Sequence, residues 1–257
     1  MPAPVNSFKH RLATGQRLIG CWAGFADPYP TEVLVSAGFD WLVIDGEHAP
    51  NDLRTIMAQL VAMKGAHSHP VVRLPMGETW AIKQVLDAGA QTLLIPMVES
   101  AEQAQDLVRA MRYPPQGVRG AGAALARASE FSAIPDYVTT ANDQMCLLVQ
   151  VETRAGLENL DAILAVEGVD GVFIGPADLA ADLGYPGQSA AAPVAAAIQQ
   201  ALATIAASPK AAGILAVDDE TAQTYAKWGA QFLAVGIDVV MLARAARDTV
   251  ALWQSRG

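Results

Sequence analysis

The chain has 257 residues, of which 52% are apolar and 17% charged, with a formal net charge of −9. That length suits one α/β barrel or two small domains, while the acidic balance without a basic cluster argues against nucleic acid and anionic membrane surfaces as partners. No apolar run approaches the ~18 residues of a membrane-spanning helix, and the polar start MPAPVNSFKHRLATGQR lacks a signal-peptide core.

A short N-terminal helix leads into a first strand at Leu18–Ala23 and a helix over 30–37. A phrase then recurs four times. Each copy closes a helix with glycine and gives one apolar residue, Asp or Gln, and a short apolar strand. Gly38 precedes strand 41–44, Gly89 precedes Thr92–Ile95, Gly168 precedes 171–174 and Gly229 precedes 232–235. The glycines fit the left-handed position that ends a helix. The uninterrupted apolar strands fit a sheet covered on both faces.

Further strands read at 70–74, 144–152 and 212–216, with helices at 52–64, 79–86, Ala101–Met111, 157–164, 194–207, 221–228 and 239–253. Eight strand–helix alternations in this length predict a single (β/α)8 barrel covering the chain. A doubly wound open sheet is the alternative. Two excursions exceed ordinary loops: 112–142, with a helix expected near 129–140, and the Ala- and Gly-rich 180–192. Cys21 and Cys146 fall in apolar runs and read as buried, reduced thiols. The chain reads as cytoplasmic and soluble.

Chemistry concentrates after the strands. Gln150 and Glu152 are two apart and share a strand face. If strands five and six are neighbours, Glu152 meets Asp178 at the carboxyl edge. Two carboxylates held together require a cation or a shared proton, and a hard divalent ion such as Mg²⁺ or Mn²⁺ suits such a pair. Taken singly, Asp178 also fits the first turn of a helix after Pro176, and Glu152 an exposed strand end. Asp45 stands three residues before His48 across a glycine turn, a spacing at which a carboxylate can orient an imidazole base. An ordinary solvated turn is the competing reading there, and Glu47 is the weakest member.

Arg73 ends a buried strand, where it needs a structural carboxylate or a substrate oxyanion. Residues Gly175, Pro176 and Ala177 lead into a helix start that favours an anion. Asp87, late in a helix, and Arg119, in the long loop, read as structural from spacing alone. None of Lys9, Lys64, Lys83, Lys210 and Lys227 ends a barrel strand, so a Schiff-base amine is missing. No glycine-rich nucleotide loop accompanies the strands, and His10, His67 and His69 read as peripheral.

The segments WLVIDGEH (41–48), PVVRLP (70–75), RYPPQGVRG (112–120), QVET (150–153) and GVFIGPADLAADLG (171–184), in this order, closely resemble the HpcH/HpaI aldolase family. That family comprises metal-dependent class II pyruvate aldolases typified by 4-hydroxy-2-oxoheptane-1,7-dioate aldolase, and the resemblance runs from about residue 6 to 253. It implies that Glu152 and Asp178 hold the divalent metal (Mg²⁺, Mn²⁺ or Co²⁺), and that His48, oriented by Asp45, acts as base through a metal-associated water.

By the same resemblance Arg73 contacts the keto oxygen, and Gln150 with the backbone of Gly175, Pro176 and Ala177 holds the carboxylate of pyruvate or a related 2-oxo acid such as hydroxypyruvate. Leu215 walls the aldehyde site, and Asp87 reaches a neighbouring subunit's site. The resemblance also implies a homo-oligomer, usually a hexamer, with the last helix packed on a neighbour. Segments 121–131 and 180–192 have no counterpart in the pattern. Oxaloacetate decarboxylation, an acyl-CoA lyase reaction and a non-catalytic 2-oxo acid sensor remain as alternatives.

Overall fold

The structure is a computed structural model describing residues 1–256. Eight parallel strands, β1 (Leu18–Ala23), β2 (Trp41–Asp45), β3 (His69–Arg73), β4 (Thr92–Ile95), β5 (Cys146–Val151), β6 (Val169–Ile174), β7 (Ala211–Leu215) and β8 (Phe232–Ile237), pair in sequence order and close through β1–β8. Closure excludes the open doubly wound sheet. The four recurring glycines, Gly38, Gly89, Gly168 and Gly229, have φ of +89°, +109°, +97° and +109°. Each turns the chain from a helix end into β2, β4, β6 or β8, as the recurring phrase requires.

Twelve α-helices accompany the strands among the described residues. The outer layer consists of α2 (Pro28–Ser36), α3 (Leu53–Ala62), α4 (Thr79–Asp87), α5 (Ala101–Met111), α7 (Arg154–Glu158), α8 (Leu160–Leu164), α9 (Pro176–Asp182), α10 (Ala192–Ala206) and α11 (Asp219–Lys227). Their starts are set by side-chain caps. Asp27 accepts from the Tyr29 amide at 2.8 Å, Asp52 from those of Arg54 and Thr55, and Asp218 from that of Thr221.

Helix α1 (Ser7–Ala13) inserts Phe8 toward Trp41 and Phe232, with ring centroids 6.0 and 6.4 Å away. These rings belong to an interior core that also holds Trp22 and Phe173. The barrel is therefore packed, and only its rim is available for chemistry. Space for the rings comes from Gly20 and Gly213. A Cβ at either would lie 2.2 Å from the ring of Trp41 or Phe232.

Three local expectations are corrected. The helix near 129–140 shrinks to α6 (Tyr137–Thr140). Glu130, Phe131 and Ser132 all take positive φ, and Pro135 follows, so no continuous helix can form there. The helix over 157–164 is two short helices, α7 and α8, meeting at Asn159, whose side chain donates to the Glu99 carbonyl at 2.8 Å. Segment 180–192 begins inside α9 rather than as a loop. Cys21 and Cys146 are buried free thiols, as expected. Helix α12 (Asp238–Gln254) buries only Asp238, leaving Val240, Leu242, Val250 and Trp253 exposed. No helix among the described residues is long and apolar enough to cross a membrane.

Candidate active site

Strands β5 and β6 pair with Val151 opposite Ile174, so Glu152 and the turn carrying Gly175 emerge together at the carboxyl rim. Glu152 is buried, its Oε1 accepting from the Met97 amide at 2.9 Å and its Oε2 from the Gln150 side-chain amide. Met97 adopts φ +55° at the point where its N–H meets this carboxylate. Gly175 stands immediately against the pair. A Cβ there would fall 2.1 Å from Glu152 Oε2 and 2.9 Å from Gln150 Nε2. Pro176 then opens α9 and places Asp178 in its first turn.

Across the rim, β2 and β3 pair with Asp45 opposite Arg73. The guanidinium grips Asp45 with two parallel bonds of 2.8 Å, from Nε to Oδ1 and from Nη2 to Oδ2. Its Nη1 forms an ion pair with Glu47 Oε2 at 2.8 Å, and its face lies 5.2 Å from the Trp22 ring centroid. An arginine at a buried strand end is thus matched by two acids, a geometry its planar fork suits.

The His48 expectation changes. Both Asp45 oxygens serve Arg73, and Oδ1 also accepts from the backbone amides of Glu47 and His48, so Asp45 does not orient the imidazole. The acid beside the ring is Glu47, with Oε1 3.7 Å from His48 Nε2. Glu47, read from sequence as the weakest member, is only 16% exposed while His48 is 67% exposed. A signal was present. In a tight turn after a strand, a neighbouring residue reaches the imidazole more readily than one committed to the next strand's arginine.

The carboxylates respond to their surroundings. Burial alone would raise Asp45, but the Arg73 hydrogen bonds and charge outweigh it and hold that carboxyl below the usual range. Burial raises Glu47 despite the attraction of Arg73. It raises Glu152 as well, and the negative charges of Asp178 and Glu47 push in the same direction. Arg73 bridges Asp45 and Glu47, whereas Glu152 is bonded only by the neutral donors of Met97 and Gln150 among the described residues.

A cavity of about 560 Å³ opens here, bounded by Asp45, His48, Arg73, Gln150 and Asp178, with Gly175, Pro176, Ala177 and Leu215 also on its wall. The expected site residues are therefore assembled at one rim, with two qualifications. Glu152 lies behind Gln150 rather than on the cavity surface. Asp87 is at the far end of α4, its carboxylate 2.7 Å from Arg119. Arg119 is buried, stacked on Tyr113 with 4.4 Å to the ring centroid. Sequence reasoning missed Trp22, Phe173, Val239 and Val240, which line the same space. They are apolar positions that no chemistry-based motif picks out.

A second cavity, about 630 Å³, lies at the amino rim beside Pro70, Gly89 and Gln91. Its Arg127 is committed to the Ala88 and Leu60 carbonyls, and it lacks a carboxylate pair.

Among the described residues no group of three His, Cys, Asp or Glu side chains forms a closed metal cage. A six-coordinate hard cation does not require one, since water and substrate oxygens fill the remaining positions. Two observations favour such an ion: the Glu152 carboxyl, raised first by burial and further by the charges of Asp178 and Glu47, and Gln150 Oε1, which is buried without a partner. The donor set therefore fits a hard divalent cation.

A family model described as HpcH/HpaI aldolase/citrate lyase matches residues 18–245. A hydroxypyruvate/pyruvate aldolase of Roseovarius nubinhibens is 72% identical over 255 residues, covering 99% of each chain. A 4-hydroxy-2-oxo-heptane-1,7-dioate aldolase of Escherichia coli is 55% identical, covering 96% of this chain and 94% of the relative. Among solved structures, a HpcH/HpaI aldolase/citrate lyase family protein of Burkholderia cenocepacia is 42% identical with a TM-score of 0.93, over 98% of this chain and 100% of the other. With a matching family model over most of its length and relatives this similar, the chain belongs to the HpcH/HpaI aldolase/citrate lyase family and is a carbon–carbon lyase.

Proposed function

We propose that the protein is a class II aldolase joining pyruvate or hydroxypyruvate to an aldehyde, or cleaving the C3–C4 bond of the resulting 4-hydroxy-2-oxo acid. The observation that carries this is the convergence of Gln150 and Asp178 with the Arg73–Asp45 pair and His48 around one cavity, with Glu152 hydrogen-bonded to Gln150. Glu152 and Asp178 hold a divalent cation, Mg²⁺, Mn²⁺ or Co²⁺. When bound, that ion polarises the keto group and supplies the positive charge the acids lack.

The chain's own groups do the rest. Arg73 has five N–H donors, of which Asp45 takes two and Glu47 faces a third. The two left over face the keto oxygen and stabilise the charge that gathers on it as the enolate forms. Asp45 and Glu47 fix the guanidinium in place, so little reorganisation accompanies reaction. Gln150 and the backbone at 175–177 hold the substrate carboxylate.

In cleavage, His48 accepts the proton of the C4 hydroxyl, and the C3–C4 electron pair passes into the enolate as the aldehyde leaves. Return of that proton to C3 yields pyruvate. Glu47, 3.7 Å from Nε2, stabilises the imidazolium while it carries the proton.

The same reading takes the chain as one catalytic barrel domain of the cytoplasm that assembles as a homo-oligomer, a hexamer. The apolar face of α12 lies on a neighbour, and Asp87 serves a neighbour's site. The exposed Leu242, Val250 and Trp253 support such a contact.

Deuterium exchange at C3 of pyruvate and hydroxypyruvate, followed by NMR with Mn²⁺ and with EDTA, tests the reading. Exchange is expected with Mn²⁺ and should vanish with EDTA or in Glu152→Ala. Exchange that survives chelation unchanged refutes it.

A further inference from the structure

Glu152 is oriented by a loop that reaches it from the neighbouring strand. Between β4 and α5 the chain passes through Pro96, Met97, Val98, Glu99 and Ser100. Met97 donates its amide to Glu152 Oε1 at 2.9 Å and takes φ +55°. A left-handed conformation is costly for a residue with a side chain, and it persists only where the surroundings over-determine it. Val98, next in the loop, adds a second tie to β5, its amide donating to the Gln150 carbonyl at 3.0 Å.

The groups that hold this loop are specific. Gln103, in the first turn of α5, spans it with both ends of its side-chain amide. Nε2 donates to the Met97 carbonyl at 3.1 Å, and Oε1 accepts from the Glu99 amide at 2.9 Å. Ser100 Oγ accepts from the Gln103 amide at 3.1 Å, which fixes the turn that carries this side chain. Glu99 is tied to the residue after Glu152 as well, because the Thr153 hydroxyl donates to its Oε1 at 2.8 Å. Thr153 is itself held by accepting from the Gly156 amide at 3.1 Å. Loop and strand end are thus joined twice, Met97 to Glu152 and Glu99 to Thr153. Glu99, Gln103 and Thr153 stand outside the described residues that line the cavity, so substrate contact does not account for the network.

Resting on the reading of Glu152 as a holder of the divalent cation, we propose that Gln103 and the Glu99–Thr153 pair are positioning residues of that site. They keep Met97 at positive φ, so that its amide fixes the Glu152 carboxylate in the orientation the cation takes. With the brace cut, Met97 relaxes, its amide is re-aimed, and Glu152 is oriented by Gln150 alone. Outer partners that orient a ligating carboxylate carry about 10–100-fold in metal affinity.

Calorimetric titration of the metal-free enzyme with Mn²⁺ tests the proposal. Gln103→Leu removes both bonds from an exposed position. It should raise the Mn²⁺ dissociation constant about tenfold or more. The metal-free Tm should stay within about 2 °C of wild type, and kcat should return toward wild type at saturating Mn²⁺. Gln223→Leu is the control, since Gln223 is also exposed and donates to Asp219 one turn away on α11. Glu99→Ala cuts the tie to Thr153 while leaving the Thr153 cap of α7, and should bind Mn²⁺ more weakly than Glu99→Gln, whose side chain still accepts from Thr153. That comparison stands on its own should Gln103→Leu fold poorly. Wild-type Mn²⁺ affinity in Gln103→Leu, or an equal loss in Gln223→Leu, overturns the proposal, and equal affinities in the two Glu99 variants remove the Glu99–Thr153 pair from it. Glu152→Ala keeps the two levels apart. Lost binding there with wild-type binding in Gln103→Leu sinks only this inference, whereas undiminished binding in Glu152→Ala sinks the reading of Glu152 beneath it.

Discussion

Replacing Gly175 by alanine adds one methyl group at the point where β6 passes the Glu152 carboxylate. The new Cβ would lie 2.1 Å from Glu152 Oε2, whereas ordinary contact begins at 3.4 Å. The carboxylate must therefore recede by about 1.3 Å, or the Gly175 turn must move by as much. Gly175 has φ −94°, which alanine adopts freely, so the conflict is one of space and not of backbone conformation. Retreat is obstructed because Oε1 is held by the Met97 amide at 2.9 Å and Oε2 by Gln150.

Overpacking of this kind costs about 1–3 kcal/mol of stability, and a misplacement near 1 Å at reacting groups costs about 10²-fold in rate. Gly175→Ala should thus lower kcat/KM about 100-fold, weaken Mn²⁺ binding measured by calorimetry, and lower Tm by several degrees. Gly122→Ala is the matched control, since Gly122 has φ −78° and no atom within 4 Å of an added Cβ. A Gly175→Ala enzyme with wild-type Mn²⁺ affinity and turnover would remove Glu152 from the metal site.

Three other substitutions probe separate parts of the structure. Asp45→Asn leaves Arg73 with Glu47 alone, and urea denaturation should show a loss of about 3 kcal/mol, the lower end for a broken buried pair because one partner remains. The Asp45 carboxyl is held below its usual range, so its contribution is complete above the unfolded value near 3.8 and fades as pH falls through the folded value; the Asn variant should cost most at neutral pH and least in strong acid. His48→Ala should slow donor proton exchange by about 10²–10⁴-fold, with stability within about 0.5 kcal/mol of wild type because the side chain is largely exposed. At the opposite rim, burial pushes the His69 imidazole down to about 3, so the unfolded chain takes up a proton below 6.5 that the folded chain refuses. Between pH 7 and pH 5 the wild type should therefore lose about 2 kcal/mol more stability than His69→Gln, and equal losses would show that His69 is solvated.

Much of this architecture is written in short-range chemistry. A glycine that ends a helix by taking positive φ is visible in the sequence, and four of them space the even strands correctly. The carboxyl-rim acids are legible for a similar reason: position after a strand fixes position on the rim, whatever the side chain does next. Pairing between side chains is a different matter. That Arg73 would meet an acid could be anticipated, but Asp45 and Glu47 were both available, and only the β2–β3 register shows that Asp45 faces it squarely. Once that pairing exists Asp45 is spent, and His48 is left with Glu47. The 129–140 segment failed for an opposite reason. A helix was expected there, but Glu130–Ser132 take positive φ in a turn tied by Ser129 Oγ donating to the Ala123 carbonyl at 2.6 Å.

Charge balance explains why so many acids crowd one rim. Asp45 and Arg73 neutralise each other, which leaves Glu47, Glu152 and Asp178 with only the remaining donors of Arg73 and an exposed imidazole to oppose them. Glu47 and Glu152 are both raised, so proton uptake is one way for the site to relieve the repulsion, and a divalent cation is the other. A 2-oxo acid brings a further negative charge and would worsen the imbalance if it arrived first. With the cation in place the same carboxylate becomes an attractive partner. By linkage, a cation held by these acids and a 2-oxo acid would each tighten the other's binding by the same factor.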